Sequence, residues 1–512
     1  MGRKADQVKW GILLTYATLF LNILISMLYT PVMLRLLGSG EHGLYSTVTS
    51  AISWVSLLSL GLNSSYIRFY ARYKKEGAED KIASLNGMFL SIFCALGVIA
   101  LLCGLYIANH LHILFADGLT EQEYTKARVL AIIVSVELAL NFPATIFNSI
   151  IRAHEKFIAL RLVHLFQCIT SPLVTLPLLL MGYGSVAMVS VTTLVNLFAY
   201  SIYVIYSVGK LKAKFRFRHF EGRLIKEIVV YSGVIAVNSL ITQVNTSLDK
   251  ILLARYVNTV CVSVYTIGFS LYSYYSSFSS AIAGNLTPRI HKIVAENNED
   301  KSKLRSALTE QFVKFGRIQL YIQMLMLTGV IFFGKPFIAF WAGPGYENAY
   351  YVAILLSASA TIPLCQSLGI EIQRAQNKHK FYAVFSALMT IVNIVLTVIL
   401  CQMYGEIGAA VGTVIAVIAV DVIVMNIYYH KKLNIDIFAF WKDITRALAG
   451  MVLPILLGVV IVCWVPIRSW WHLLGGVVIY TVVYGVSVVF LSMSAPEREG
   501  LFGKILHKWK KN

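Results

Sequence analysis

Charge is scarce in this sequence. Asp, Glu, Lys and Arg make up 13% of the 512 residues, against about 25% in soluble domains. A chain so poor in charge keeps most of its length out of water, which excludes an ordinary soluble globular protein. No Gly-rich nucleotide loop, metal-ligand cluster or nucleophile elbow is found, which argues against ATP hydrolysis by this chain. The seven cysteines, Cys94, Cys103, Cys168, Cys261, Cys365, Cys401 and Cys463, lack metal or redox spacing. They read as small core residues rather than disulfides or ligands. No small-residue cleavage site follows Met1-Gly-Arg-Lys before the first apolar stretch, so no cleaved signal peptide is expected. No metal or organic cofactor is expected.

Long apolar runs are abundant. Hydrophobic residues make up 57% of the chain, with runs such as Ile12–Leu28, Leu85–Ala108, Phe385–Leu400 and Val411–Val424. A bilayer core ~30 Å thick needs about 20 apolar residues in a helix. Inside lipid the backbone must bond to itself, so these runs are predicted as helices. Gly, Pro and charged breaks divide the chain into about fourteen predicted spans. They lie near 10–36, 43–67, 84–109, 125–150, 157–181, 185–208, 226–254, 262–287, 312–334, 348–372, 381–403, 406–429, 446–466 and 470–493. The fold class expected is an all-α polytopic membrane protein.

The formal net charge of +19 would suggest nucleic acid in a soluble protein. Its distribution points elsewhere. With the N-terminus inside, 37 of the 44 Lys and Arg fall on the inner side and seven on the outer. That split orients the chain with both termini cytoplasmic, and no nucleic-acid partner is expected. The basic loop Lys210–Lys226 and the tail Lys504–Lys511 are expected to meet anionic membrane lipids.

The two halves resemble each other. Arg35 and Tyr45 recur as Arg255 and Tyr265, and Pro143 recurs as Pro363. Arg152-Ala-His-Glu-Lys-Phe157 is echoed by Arg374-Ala-Gln-Asn-Lys-His-Lys-Phe381, and Met181-Gly-Tyr-Gly by Met403-Tyr-Gly, at offsets of 220–224. This predicts two parallel six-helix repeats, 1–220 and 221–430, with two extra helices in 431–512. Such repeats imply a pseudo-two-fold axis along the membrane normal, with a site between the halves.

Polar residues inside spans are costly and mark function. In the seventh span Asn238, Thr242, Asn245 and Asp249 share one face, with Ser239, Gln243, Thr246 and Lys250 beside them. Thr15, Thr18, Asn22, Ser26 and Tyr29 make a similar stripe in the first. Serines line the second (Ser46, Ser50, Ser53, Ser56, Ser59, then Asn63) and the eighth (Ser270, Ser273, Ser276, Ser277, Ser280). One reading is a wet cavity for a polyhydroxylated ligand. The other is close helix packing through small residues. Arg68 and Arg289 end the second and eighth spans, Arg152 and Arg374 the fourth and tenth, and Arg35 and Arg255 the first and seventh. Arginine forks suit a diphosphate, while snorkelling to headgroups explains them equally well. Together with Asp249 and Lys250 they are the candidate substrate-binding residues. The intramembrane acids Glu137 and Asp421, with Glu371 nearby, are candidates for coupling to H⁺ or Na⁺, or for pairing with an arginine.

Tyr29-Thr-Pro-Val-Met-Leu-Arg-Leu-Leu-Gly38, Glu41-His-Gly-Leu-Tyr45, Leu58-Ser-Leu-Gly-Leu-Asn63, Ile67-Arg-Phe-Tyr70 and Asp249-Lys-Ile-Leu-Leu253 together resemble the bacterial polysaccharide transporters. These are the O-antigen-type flippases of the multidrug/oligosaccharidyl-lipid/polysaccharide exporter superfamily. The resemblance implies transfer of an undecaprenyl-diphosphate-linked oligosaccharide from inner to outer leaflet of the bacterial cytoplasmic membrane. It also implies alternating access around a cationic cavity, a polymerase and glycosyltransferases as partners, and cavity roles for Arg68 and Arg289. A cation-coupled multidrug antiporter is the rival within the superfamily. A glycan polymerase or ligase is the rival enzyme, and the short outer loops speak against it.

Overall fold

The structure is a computed structural model. It describes residues 2–498 except 60, 116–118, 218–221, 284–286, 297–299, 377, 379 and 495–496. The basic tail lies outside the described residues, as do the side chains of Thr15, Asn238, Thr242 and Ser280. Among the described residues the chain is helical and contains no strand.

The chain forms two compact units, Met1–Thr266 and Ile267–Asn512. This division is by packing, whereas the 1–220, 221–430 and 431–512 division is by sequence correspondence. The first unit holds α1 (Gly2–Ser53), α2 (Leu62–Lys75), α3 (Glu79–Asn109), α4 (Glu121–Ala153), α5 (Phe157–Leu180), α6 (Gly184–Ile205) and α7 (Gly222–Tyr256). The boundary falls within α8 (Thr259–Ala283). The second unit holds α9 (Thr287–Glu296), α10 (Lys301–Trp341), α11 (Asn348–Cys365), α12 (Leu368–Ala375) and α13 (Lys380–Val417). It ends with α14 (Met425–Lys432), α15 (Ile437–Ala449), α16 (Val452–Trp464) and α17 (Trp470–Ser487).

Nine helices among the described residues are long and apolar enough to cross a membrane, or ten with the bent pair α15–α16 as one span. Two of the nine are double. Gly38 breaks α1 at φ 77°, and Gly405 breaks α13 at φ 58°. Only glycine takes these left-handed conformations without strain. The number fourteen stays an expectation of the sequence.

The second predicted span, 43–67, is not one helix. A tight 3₁₀ turn occupies Trp54–Ser59, and α2 restarts behind Gly61 at φ 75°. The serine row explains the break. Ser53, Ser56 and Ser59 donate to the carbonyls of Ser50, Ser53 and Ser56, at 2.6, 2.6 and 2.9 Å. Hydroxyls that back-bond in this way compete with the helical ladder and bend it.

The predicted span 446–466 also differs, because the chain bends by 47° between α15 and α16. In α15, Ile437, Phe440, Ile444 and Ala447 are buried at helical spacing while Lys442 and Arg446 stay exposed. That amphipathic pattern suits a helix with one face on the protein and one in a polar environment.

Each unit has its own aromatic core. Tyr66, Phe89, Phe93 and Phe142 centre the first, and Phe312, Phe315, Tyr429 and Phe440 the second. Large apolar side chains such as Leu173, Leu194, Val395 and Val482 are exposed. On a membrane-spanning helix such residues face lipid.

Candidate functional site

The clearest site lies in the first unit, where α4 and α6 present matching polar faces. Along α4 run Glu137, Asn141, Thr145, Asn148, Ser149 and Arg152. Steps of three and four put them on one side of the helix. Thr193, Asn196, Tyr200 and Tyr203 do the same on α6. A cavity of about 300 Å³ opens on the Arg152 half of this track. Asn63, Ser64, Asn141 and Arg152 form its exposed rim, and Ala144, Ser149 and Tyr203 its buried floor.

At the Arg152 end, the guanidinium Nε donates to Asn148 Oδ1 at 2.8 Å, and Tyr203 hydrogen-bonds the same amide. Ser149 Oγ donates to Asn63 Oδ1 at 3.2 Å, tying α4 to α2. Among the described residues no carboxylate lies within ion-pair distance of Arg152. His154, just beyond, fixes the turn: its Nδ1 lies 2.9 Å from Ile150 O and its Nε2 2.9 Å from Tyr70 Oη. Burial, opposed by the Ile150 carbonyl, holds this imidazole below its ordinary value, with Lys74 and Lys156 adding to the effect.

At the other end, both Glu137 oxygens are engaged. Thr193 Oγ1 donates at 2.8 Å and Asn196 Nδ2 at 2.6 Å. Gln167 of α5 in turn donates to Asn196 Oδ1 at 2.8 Å. Three helices therefore position one carboxyl group through neutral donors. Of the alternatives open in the sequence, no arginine partner of Glu137 is found among the described residues.

The other candidates lie apart from this track. Arg68 is exposed on α2, and Arg35 is exposed just before the Gly38 break. Arg255 donates to the carbonyl of His112. Arg289 does not end the eighth span; it sits exposed in the separate short helix α9. Asp249 is 4% exposed and accepts from Tyr265 Oη, so it faces protein rather than open water. Lys250 beside it is half-buried.

Within the first unit, the second predicted span and the residue before it bond to the seventh and to the start of the eighth. His42 Nδ1 lies 2.7 Å from Ser263 Oγ, and Ser46 Oγ 2.9 Å from Thr266 Oγ1. Gln243 donates to Ser53 at 2.7 Å, and the Ser65 and Ser232 hydroxyls are 2.7 Å apart. Gly43 is packed so closely on the Thr259 carbonyl that a Cβ there would overlap it. At these positions the polar residues join helices, as the packing reading expects.

In the second unit, Arg374 is paired with Glu371 at 2.6 Å. Asp421 sits in a wide π turn at 418–424 and is hydrogen-bonded to Tyr382. Elsewhere, Arg317 binds Asp443 at 2.9 Å and Glu497 at 2.6 Å. Burial pushes the Glu497 carboxyl up, but the Ser494 N–H and the Arg317 guanidinium outweigh it and hold the carboxyl below its ordinary value.

Comparison with known proteins assigns the chain. Residues 8–294, more than half its length, match the model of the polysaccharide biosynthesis protein family. The chain belongs to that family. A putative O-antigen transporter of Shigella flexneri is 21% identical over 418 residues, covering 78% of this chain and 92% of that protein. The fold is similar to that of a solved structure of lipid II flippase MurJ, inward closed conformation. The TM-score is 0.69 at 17% identity, over 97% of this chain and 100% of that one. An inward-facing multidrug resistance MATE family transporter of the MOP superfamily matches at TM-score 0.65 and 14% identity, over 82% and 95% of the two chains. The family member described here is thus a multi-pass membrane protein with a transporter fold.

Sequence reasoning named Arg152 and Glu137 but missed the amides and hydroxyls that join them. The signal was present in Asn141, Thr145, Asn148 and Ser149, spaced to share one face of the fourth span.

Proposed function

We propose that this protein is a flippase. It moves an undecaprenyl-diphosphate-linked oligosaccharide from the inner to the outer leaflet of the bacterial cytoplasmic membrane, by alternating access and with both termini in the cytoplasm. Family membership supports this reading, as do the likeness to an O-antigen transporter and the fold shared with a lipid II flippase. The observation that carries it is the α4–α6 track, where amides, hydroxyls and one arginine line a cavity. That chemistry matches an anionic, hydroxyl-rich cargo.

Glu137 and Asp421 are the proposed coupling sites for H⁺ or Na⁺. A polymerase and cytoplasmic glycosyltransferases are the proposed partners. The multidrug antiporter reading draws on the MATE-like fold, but a cation-binding cavity would place a carboxylate, not an arginine, on the cavity rim.

The test is reconstitution in vesicles with an undecaprenyl-diphosphate oligosaccharide of known structure. Protein-dependent leaflet exchange that requires the diphosphate is expected. Ion-gradient-driven efflux of a cationic dye, without lipid exchange, would establish the antiporter instead.

A further inference from the structure

We infer that the α4–α6 cavity is a recognition subsite for a short saccharide bearing one acidic group, with the acidic group at Arg152 and uncharged hydroxyls directed toward Asn141. The inference rests on the flippase reading for why a saccharide reaches this cavity, but its geometry is independent of transport.

The polarity of the cavity sets the orientation. Arg152 spends its Nε on Asn148, and no carboxylate among the described residues neutralises it. Its two terminal nitrogens are a fork for a carboxylate or a phosphate. Toward the middle of α4 the chemistry reverses. Both Glu137 oxygens are already taken up by Thr193 and Asn196, and no cation stands at this end among the described residues. An anionic ligand is therefore polarised, with its charge at the Arg152 end.

Between these ends the donors and acceptors are neutral. Thr145 Oγ1 donates to Asn141 O at 2.8 Å, leaving its lone pairs for a ligand hydroxyl. The Asn141 side chain and Ser64 hydroxyl stand on the exposed rim and can each donate and accept. Tyr200 and Tyr203 supply the aromatic wall, against which the apolar face of a sugar ring packs. A volume of about 300 Å³ is at the low end for small-molecule pockets. It suits one or two sugar rings, not a long chain.

The second repeat supplies an internal control. Arg374 stands 222 residues after Arg152, and Glu371 stands 222 after Ser149. There the arginine is already bonded to the glutamate at 2.6 Å. The arginine that has no carboxylate partner at 152 has one at 374.

The experiment is ligand-observed saturation-transfer NMR on the full chain in nanodiscs. The probes are glucuronic acid, glucose 1-phosphate, methyl glucoside and inorganic phosphate. At least one acidic sugar should bind five-fold or more tighter than methyl glucoside and than inorganic phosphate. Binding of glucuronic acid alone identifies a uronic acid as the unit recognised. Binding of glucose 1-phosphate alone identifies the sugar nearest the lipid phosphate, and binding of both shows that the arginine reads charge irrespective of its source.

Arg152→Gln should weaken acidic-sugar binding at least ten-fold. Asn148→Asp, which sets a carboxylate against Arg152 with little change of volume, should do the same, while Arg374→Gln should leave it unchanged. Equal binding of the neutral sugar, equal binding of inorganic phosphate, no binding by folded wild type, or full binding by both cavity variants would each overturn the inference. Failure of leaflet exchange with binding intact would overturn the flippase reading and leave the subsite standing.

Discussion

Arg152 and Arg374 correspond in sequence at an offset of 222 residues, yet their surroundings are opposite. Arg152 meets amides, hydroxyls and a cavity. Arg374 meets Glu371 three residues back on its own helix. The contrast extends across the second unit, where Arg317 is clasped by Asp443 and Glu497. Arg152 has no carboxylate partner among the described residues, whereas Arg374 and Arg317 each have one or more. A repeated scaffold therefore does not imply a repeated site, because one substitution, Ser149 against Glu371, changes what the arginine can bind.

The largest effect expected is on the clasp. Arg317→Ala leaves two partly buried carboxylates facing each other, and charged hydrogen bonds of this kind are worth about 1.5–3 kcal/mol. Thermal unfolding should show a loss of about 2–3 kcal/mol, with leaflet exchange preserved in the molecules that stay folded. Arg152→Ala should do the reverse. Exchange of lipid-linked oligosaccharide falls by about ten-fold, the factor that corresponds to 1.4 kcal/mol, while the unfolding temperature is unchanged. Arg374→Ala should stay within about two-fold of wild type, in line with an exposed ion pair. Equal losses from the two arginine variants would remove the distinction.

Ser149→Glu copies the second repeat into the first. The new carboxylate should close the Arg152 fork and lower exchange by several-fold, roughly the Arg152→Ala effect. Normal exchange in that variant would show that the fork is not used.

Acidification probes the clasp more gently. The Glu497 carboxyl is held below its ordinary value of 4.5. Its stabilising contribution is complete above that ordinary value and is lost as pH falls through the lower folded value. Stability should thus decline on acidification below about pH 4.5, and Glu497→Gln should flatten that part of the profile. The smallest effect belongs to Glu371→Gln. Its partner Arg374 is mostly exposed, so unfolding should shift by no more than about 0.2–1 kcal/mol.

The helices, their apolar faces and the breaks at Gly38 and Gly405 were legible because lipid demands long apolar runs and glycine alone tolerates the turns. The family was legible in residues 29–70. The site was legible only in part. Arg152 and Glu137 stood out as charges, whereas Asn141, Thr145 and Asn148 did not, because uncharged polar residues in a span serve packing as readily as binding. Arg374 could not be told from Arg152 by type or position. Its bond to Glu371 depends on both residues sharing the short helix α12, whereas the predicted span 348–372 ends between them. The serines of 46–59 were misleading for a related reason. A hydroxyl in lipid needs an acceptor, and the nearest is its own backbone.

Those back-bonded serines give the chain a mechanical property. A continuous helix resists bending because each residue would have to surrender a hydrogen bond. Between Trp54 and Gly61 the regular ladder is already interrupted, and the local carbonyls are capped by hydroxyls that travel with them. Flexing there breaks fewer helical hydrogen bonds than bending an uninterrupted helix such as α3. The second span is thus compliant at one point and rigid elsewhere, and the compliant point adjoins Asn63 and Ser64 on the cavity rim.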